Sequence, residues 1–565
     1  MKVIVVKLTI YWIASILFQS TQLNAAIVDN LTIGNAKALS LANAVTASPP
    51  PIDAIHFNPA GLTQINGKER QLKLIVGTFV STTTFGERTG VPDQCFNQEN
   101  GVCAFPGIEE GIEDPVENTK SEFDAPAVKL PIFGFTPFND GAIAFPLGSY
   151  GYRIPGTKYV IATGVYAPSF AAGYSRSDSD PGRYIGQEFS LTRVAYFTPT
   201  VAMEVTERLS LGVGLIASWQ GVYLDTPMRL PNFLTATTLS LNESICGESP
   251  TFGEGFSSTV SSVVNLCGGR LGPYDEIAQF EVDVSNNLAT SFNVGLIYNI
   301  TNWMSLGVTY RSQANAKLKG SYQFSYSEEW SNLFGSLWRE DNGLISGVNQ
   351  TIEIPKGNFE LEPNSRLVQK GDVALQVNAP KHWAFGVSAQ VTPSLRVNID
   401  AKWTEWSIWP HFQFDFADDD IEVLLLGKLL SPANVTDNSL RILRNYQDAW
   451  SYGIGIEYQF NSRVVFRGGY EDRGESIPSS SQDLLVPIGK SYLYSFGTGF
   501  KWNKNSTIDI AFGYLSSKGQ AKAGESLNAN SNNFSNIIYN PYAGIPIKNR
   551  TSAFLFEINF RTSFN

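Results

Sequence analysis

Thr551-Ser552-Ala553-Phe554-Leu555-Phe556-Glu557-Ile558-Asn559-Phe560-Arg561-Thr562-Ser563-Phe564 reads as one β-strand with two unlike faces. Phe554, Phe556, Ile558, Phe560 and Phe564 share one face. Ala553, Leu555, Glu557, Asn559 and Arg561 share the other, as a period of two requires. A soluble sandwich buries the aromatic face and wets the polar one. An outer-membrane barrel turns the aromatic face to lipid and the polar face to a lumen.

The same two-sidedness recurs upstream. Tyr452, Ile454, Ile456, Tyr458 and Phe460 alternate with Ser451, Gly453, Gly455, Glu457 and Gln459. Tyr492, Tyr494, Phe496 and Phe500 alternate with Leu493, Ser495, Gly497 and Lys501. Connection lengths decide between the two architectures. Strands are expected near 70–85, 125–154, 159–173, 188–205, 208–225, 287–300, 303–320, 372–392, 394–416, 448–460, 462–474, 488–502, 505–518 and 550–562, an even fourteen. The second span is too long for one strand and implies an excursion. Turns such as Thr206-Glu207-Arg208 and Asn461-Ser462 are short, whereas stretches such as 226–286 and 321–371 are long. Short periplasmic turns alternating with long outer loops are the topology of an all-β transmembrane barrel of antiparallel strands, spanning residues 69–565.

Composition agrees. The 565 residues include 36 Phe, 23 Tyr, 11 Trp and 49 Gly, and only 16% are charged, against about 25% in soluble domains. No apolar run beyond the N-terminus reaches the ~20 residues of a spanning helix. A net charge of −11 without a basic tract argues against nucleic-acid binding. Residues 1–25 have the form of a cleaved secretory signal peptide: Lys2 and Lys7, the apolar run Leu8 to Phe18, then Leu23-Asn24-Ala25. In an exported chain the local pairs Cys95 with Cys103 and Cys246 with Cys267 are candidate loop disulfides. Four cysteines allow three connectivities. Neither pair has the spacing or a nearby His for zinc, so no metal and no cofactor is expected.

Residues 26–68 precede the first strand and do not alternate. A leader rich in Ala, Asn and Pro cannot build its own core, and it is expected as a plug within the lumen; a flexible periplasmic tail is the alternative. It contains Asp53 and then Asn58-Pro59-Ala60-Gly61-Leu62 just ahead of the first strand. That motif resembles the signature of FadL-type outer-membrane transporters of long-chain fatty acids and other hydrophobic compounds. Thr309-Tyr310-Arg311-Ser312, Trp403-Thr404-Glu405-Trp406-Ser407 and Phe466-Arg467-Gly468-Gly469-Tyr470-Glu471-Asp472 are similar to other parts of the family. The resemblance runs from about residue 27 to 562, the large loops excepted. It implies passive uptake by loop capture, movement of an N-terminal hatch and lateral exit at a kink in the third strand.

From these readings the candidate residues follow. Gly164 and Pro168 are candidates for the lateral opening. By parity the lumen receives Arg311, Arg396, Asp400 and Lys402, and Arg311 and Lys402 are candidate partners for a ligand head group. The alternative for both is pairing with Asp400, Glu457, Glu471 or the plug. Trp330, Phe334 and Trp338, with Leu333 and Leu337, recur at helical spacing and suggest an amphipathic capture helix; Ile421 to Leu430 is a second helical stretch. Asp53, Asn58, Pro59, Ala60 and Gly61 are expected to fix the plug against the wall, Asp53 through a lumen cation. The expected partners are long-chain fatty acids or other hydrophobic small molecules, lipid and lipopolysaccharide of the bacterial outer membrane, and the barrel-assembly machinery during insertion, for a monomer. An enzyme is disfavoured, because His56, His382 and His411 form no nucleophile–base pattern. A plugged porin-like or receptor barrel without fatty-acid specificity is the rival. Planar-bilayer recording of the purified protein is expected to show near silence; large open-channel currents would identify a diffusion porin instead.

Overall fold

The computed structural model describes residues 33–89, 115–123, 127–137, 143–167, 171–230, 271, 275–332, 367–531 and 541–564. Fourteen antiparallel wall strands close on themselves. They are β1 (Lys68–Phe85), β2 (Lys120–Phe123 and Ile143–Arg153), β3 (Tyr159–Gly164 and Ala171–Ser175), β4 (Glu188–Phe197 and Thr200–Glu204), β5 (Leu209–Arg229), β6 (Glu276–Thr301) and β7 (Met304–Arg311 and Lys317–Tyr326). The circuit continues with β8 (Val368–Gln376 and His382–Thr392), β9 (Leu395–Thr404 and His411–Phe416), β10 (Ser439–Leu443 and Ala449–Gln459), β11 (Val464–Arg473), β12 (Lys490–Lys501), β13 (Ser506–Ala521) and β14 (Ile547–Phe564). The stretch that opened the sequence reading is β14. It pairs with β1 without a slip from Lys68↔Phe564 to Phe85↔Ile547, so the first and last strands leave no edge between them.

In the lower barrel the faces divide as alternation predicts. Leu211, Val213 and Leu215 of β5, Phe292 and Val294 of β6, and Phe496, Phe512 and Phe554 are exposed on the outer wall. The inward positions beside them are mostly small, such as Gly212, Gly214, Asn293, Ser495, Gly497, Ala511 and Gly513. Higher up the division reverses. On β6, Leu288 and Phe292 point outward, yet Phe280, Val282 and Val284, also even-numbered, are buried inside. The reason is a bulge: Ser218 faces Ala289 but Gln220 faces Asn286, and the extra residue turns the strand over. On β7 the switch comes at residues 312–316, above which Leu318, Tyr322, Phe324 and Tyr326 face inward. The upper wall therefore encloses an apolar interior and shows water the polar side chains Lys317, Lys319 and Glu281. This is also why β6 and β7 run beyond the spans 287–300 and 303–320 expected from alternation.

Inside the lower barrel lies the N-terminal segment, from Ile33 to Gly67. It holds α1 (Ala36–Ser40), α2 (Ala54–Phe57) and a 3-10 turn, Pro59–Gln64. Asn35 caps α1 by accepting from the Ala38 amide at 2.8 Å, a role suited to Asn. The plug touches the wall at glycines. A Cβ at Gly295 would overlap Asn58 and Pro59, at Gly307 or Gly386 it would meet Thr46 and Ala47, and at Gly469 it would meet Leu41 and Ala42. Gly in a strand marks such close backbone approach.

The long second span does contain an excursion. After pairing with β1 at Ser81–Thr84, the chain forms a hairpin, Ala127–Leu130 with Gly134–Pro137, against the outer side of β4 to β6. The Lys129 amide donates to Ser190 Oγ at 2.7 Å, its ammonium pairs with Asp283, and Phe135 stacks on Tyr223. The chain then re-enters the wall as the lower part of β2. The cysteines, Pro168, Phe334, Trp338 and residues 1–25 lie outside the described residues. A Gly295→Val variant is expected to force the plug off β6 at a cost of about 1–3 kcal/mol. The folded band on an unheated detergent gel should then be lost at a lower temperature, whereas lipid-facing Val294→Ala should leave it nearly unchanged.

Candidate functional site

Two carboxylates and three amides hold the plug. Asp53 Oδ1 accepts from Lys73 Nζ of β1 at 2.8 Å and from Ser149 Oγ of β2 at 3.1 Å. Its Oδ2 accepts from Asn35 at 2.6 Å and from Gln71 at 3.1 Å. Asp53 and Lys73 are both buried, and this many donors are what a buried carboxylate requires. Across the lumen Asp400 of β9 accepts the Val45 and Thr46 amides at 2.8 and 2.9 Å and the Thr46 hydroxyl at 2.7 Å. Asn559 of β14 donates to Gly34 O and accepts from Ala36 N, and Asn293 of β6 donates to Ile55 O.

Asn58 works from the plug side. Its Nδ2 donates to Thr46 O at 2.8 Å and to Leu296 O at 3.1 Å, while Oδ1 caps the Ala60 amide at 3.2 Å. Pro59 opens the 3-10 turn, where its missing N–H costs nothing. Ala60 is fully buried, and Gly61 leaves room for Pro49, which a Cβ there would overlap. The motif is thus a wall contact built from residues with little or no side chain.

Directly above the plug is a polar layer. Arg311 of β7 reaches down to the ring of His56 at 3.3 Å. Arg193 of β4 is held by Ser218 and Ser291 at 2.9 and 3.0 Å. His382 meets Thr404 at 2.8 Å. Lys402 does not stand beside Arg311. It lies two residues below Thr404 on β9 and pairs with Glu471 at 2.9 Å, which Arg473 also contacts at 3.0 Å. Arg396 is drawn to Glu457 at 3.7 Å. Trp330 is buried and donates its indole N–H to Glu422 at 3.2 Å, so it packs under the cap rather than on an outer surface. Ile421 caps α3 (Glu422–Leu430), whose Val423 and Leu424 join Phe414, Phe416, Trp406 and Trp409 in the apolar interior above.

Beside this layer the pairing of β2 with β3 stops among the described residues. The lower part of β3 pairs with β2 only from Ser149↔Gly164 to Arg153↔Val160. Val165 N to Gly148 O, 2.9 Å, is the last bond between the two strands. Above it no pairing of β2 with β3 occurs among the described residues, and the upper part of β3 pairs with β4 alone. Gly164 ends the lower segment, where a Cβ would press on the Ser149 that holds Asp53. Since Gly148 O points to β3, alternation puts the missing N–H of Pro146 on the same open edge. Reasoning from sequence passed over Pro146, whose signal was a proline inside an apparently central strand, and over Arg193 and Tyr166.

A family model described as outer membrane protein transport protein (OMPP1/FadL/TodX) matches residues 14–564. A long-chain fatty acid transport protein of Escherichia coli O6:H1 is 22% identical over 251 residues, 44% of this chain and 47% of that protein. The chain thus spans about half the length of such relatives. Among solved structures, a Pseudomonas aeruginosa FadL homologue superposes with a TM-score of 0.61 at 16% identity, covering 96% of this chain and 100% of the homologue. The Ralstonia pickettii toluene transporter TbuX gives 0.55 at 16% identity over 95% and 100%. At these identities the likeness is one of fold. Asp53→Ala is expected to leave Lys73 buried and unpaired, a loss of about 3–5 kcal/mol. Bilayer current and protease cleavage of the plug should both rise, and adding Lys73→Met should reverse much of the effect.

Proposed function

The chain belongs to the OMPP1/FadL/TodX family of outer membrane transport proteins, and we propose that it passively carries long-chain fatty acids or similar hydrophobic molecules inward. The observation that carries this reading is the reversal of the wall. The upper interior is apolar, with Phe280, Phe324, Phe414 and Phe416 packed within it, a character that a water-filled channel lacks. Each buried CH₂ of a ligand gains about 0.8 kcal/mol there, enough to draw it through the polar outer layer without an energy source.

Descent is stopped by the plug and by the ring of His56, Arg193 and Arg311. A carboxylate head matches the two arginines, with Arg311 as the ligand-facing residue and Lys402 contributing field from its pair with Glu471. Lys402 and Arg473 share Glu471 as an ion-pair partner. The tail then finds the opening between β2 and β3, and leaves sideways into the membrane after a shift of the plug. Gly164 shapes that opening, and Trp330 belongs to the entry cap. The same passage suits an aromatic hydrocarbon, which needs no cation.

The test is uptake of labelled oleate by cells lacking their own long-chain fatty acid transporter. Expression of this chain is expected to restore it. A Pro146→Cys/Ala167→Cys pair, the next but one above the last β2–β3 bond in register, should abolish uptake when oxidised and recover it on reduction. Undiminished uptake with the disulfide formed would rule out lateral exit.

A further inference from the structure

Tyr166 stands at the lower lip of the opening, and its side chain is 1% exposed. Its backbone is fixed from one side only: its amide donates to Ala195 O at 3.1 Å and its carbonyl accepts from Ala195 N at 2.8 Å. That isolated bridge to β4 holds β3 in the wall between its two segments. The anchoring aims the ring inward, edge-on to the plug's His56 with ring centres 5.1 Å apart. Yet the Tyr166 hydroxyl, buried, has no hydrogen-bond partner among the described residues. A buried O–H left unmade weakens the fold, and a phenylalanine would fill the same space without that loss. The hydroxyl faces a region where Arg311 and Arg193 act on it electrostatically.

We propose that Tyr166 is a ligand-contacting residue that reads the polar end of the departing molecule, donating its hydroxyl to an oxygen of an acid or alcohol head group at the break in β3. The inference rests on the transport reading above and adds a preference to it. An arginine attracts an anion from a distance, but a neutral phenol recognises an oxygen only at contact, in the last place the head group passes before the wall opens. Loss of such a contact penalises a ligand built to make it and leaves one that lacks it untouched. The site therefore favours oxygen-bearing amphiphiles over hydrocarbons of equal length.

The experiment compares labelled oleate and hexadecane uptake by the parent chain and by Tyr166→Phe, with the folded gel band as the control for assembly. The Phe variant is expected to fold as well as the parent, to take up oleate three- to tenfold more slowly, and to take up hexadecane at the parent rate. Oleate uptake equal to that of the parent, or a parallel fall for both ligands, overturns the role of Tyr166 while leaving transport standing. A parent chain that carries hexadecane alone overturns it too. A parent chain that carries neither ligand overturns the transport reading and this inference with it.

Discussion

A peptide segment inside a closed barrel must find partners for its backbone without water, and everything else in this molecule is arranged around that demand. The plug is too short to fold alone. It survives because the wall presents Asp400, Asn293 and Asn559 to its free amides and carbonyls, and glycine wherever its backbone must come close. Those glycines have a double use. They leave the lumen wide enough for a chain, and they spare the lower wall from side chains that would compete for the same space.

The second organising fact is that one wall meets two environments on each face. At the level of the plug the outside is hydrocarbon and the inside polar. Higher up the outside is wet and the inside apolar. A membrane protein and a soluble barrel are thus joined end to end in the same strands, with bulges and breaks as the joints. For an apolar solute this places two favourable regions, the upper interior and the surrounding bilayer, on either side of a thin polar layer. The point where the pairing of β2 with β3 stops lies beside that layer, to which His56, Arg193, Arg311 and Tyr166 belong.

Much of this was legible in the residues. Alternation in β14, β12 and β10 showed the wall, short turns against long connections showed its topology, and Asn58-Pro59-Ala60 marked the plug. Parity correctly put Arg311, Asp400 and Lys402 inside. What it could not show was distance between strands remote in sequence, so the seizure of Lys402 by Glu471 and the service of Asp400 to Val45 and Thr46 were invisible. The reversal was hidden for a different reason. Phe280, Val282, Val284, Leu288 and Phe292 all fall on even numbers, and a bulge changes the meaning of parity without changing its pattern. Charged outward positions such as Glu281 and Asp283 then resembled loop, which shortened β6 by some eleven residues relative to its observed start at Glu276.

The seam between β1 and β14 runs eighteen residue pairs without a slip, and the plug leads directly into the first of those strands. A sheet that closes there cannot afterwards be entered by its own leader, because Asn559 of the last strand and Lys73 of the first already grip it from both sides. The segment enclosed by the cylinder is thereby held by both of the strands that complete it. Among the described residues the pairing of β2 with β3 stops above Gly148 and Val165, while this seam is paired throughout.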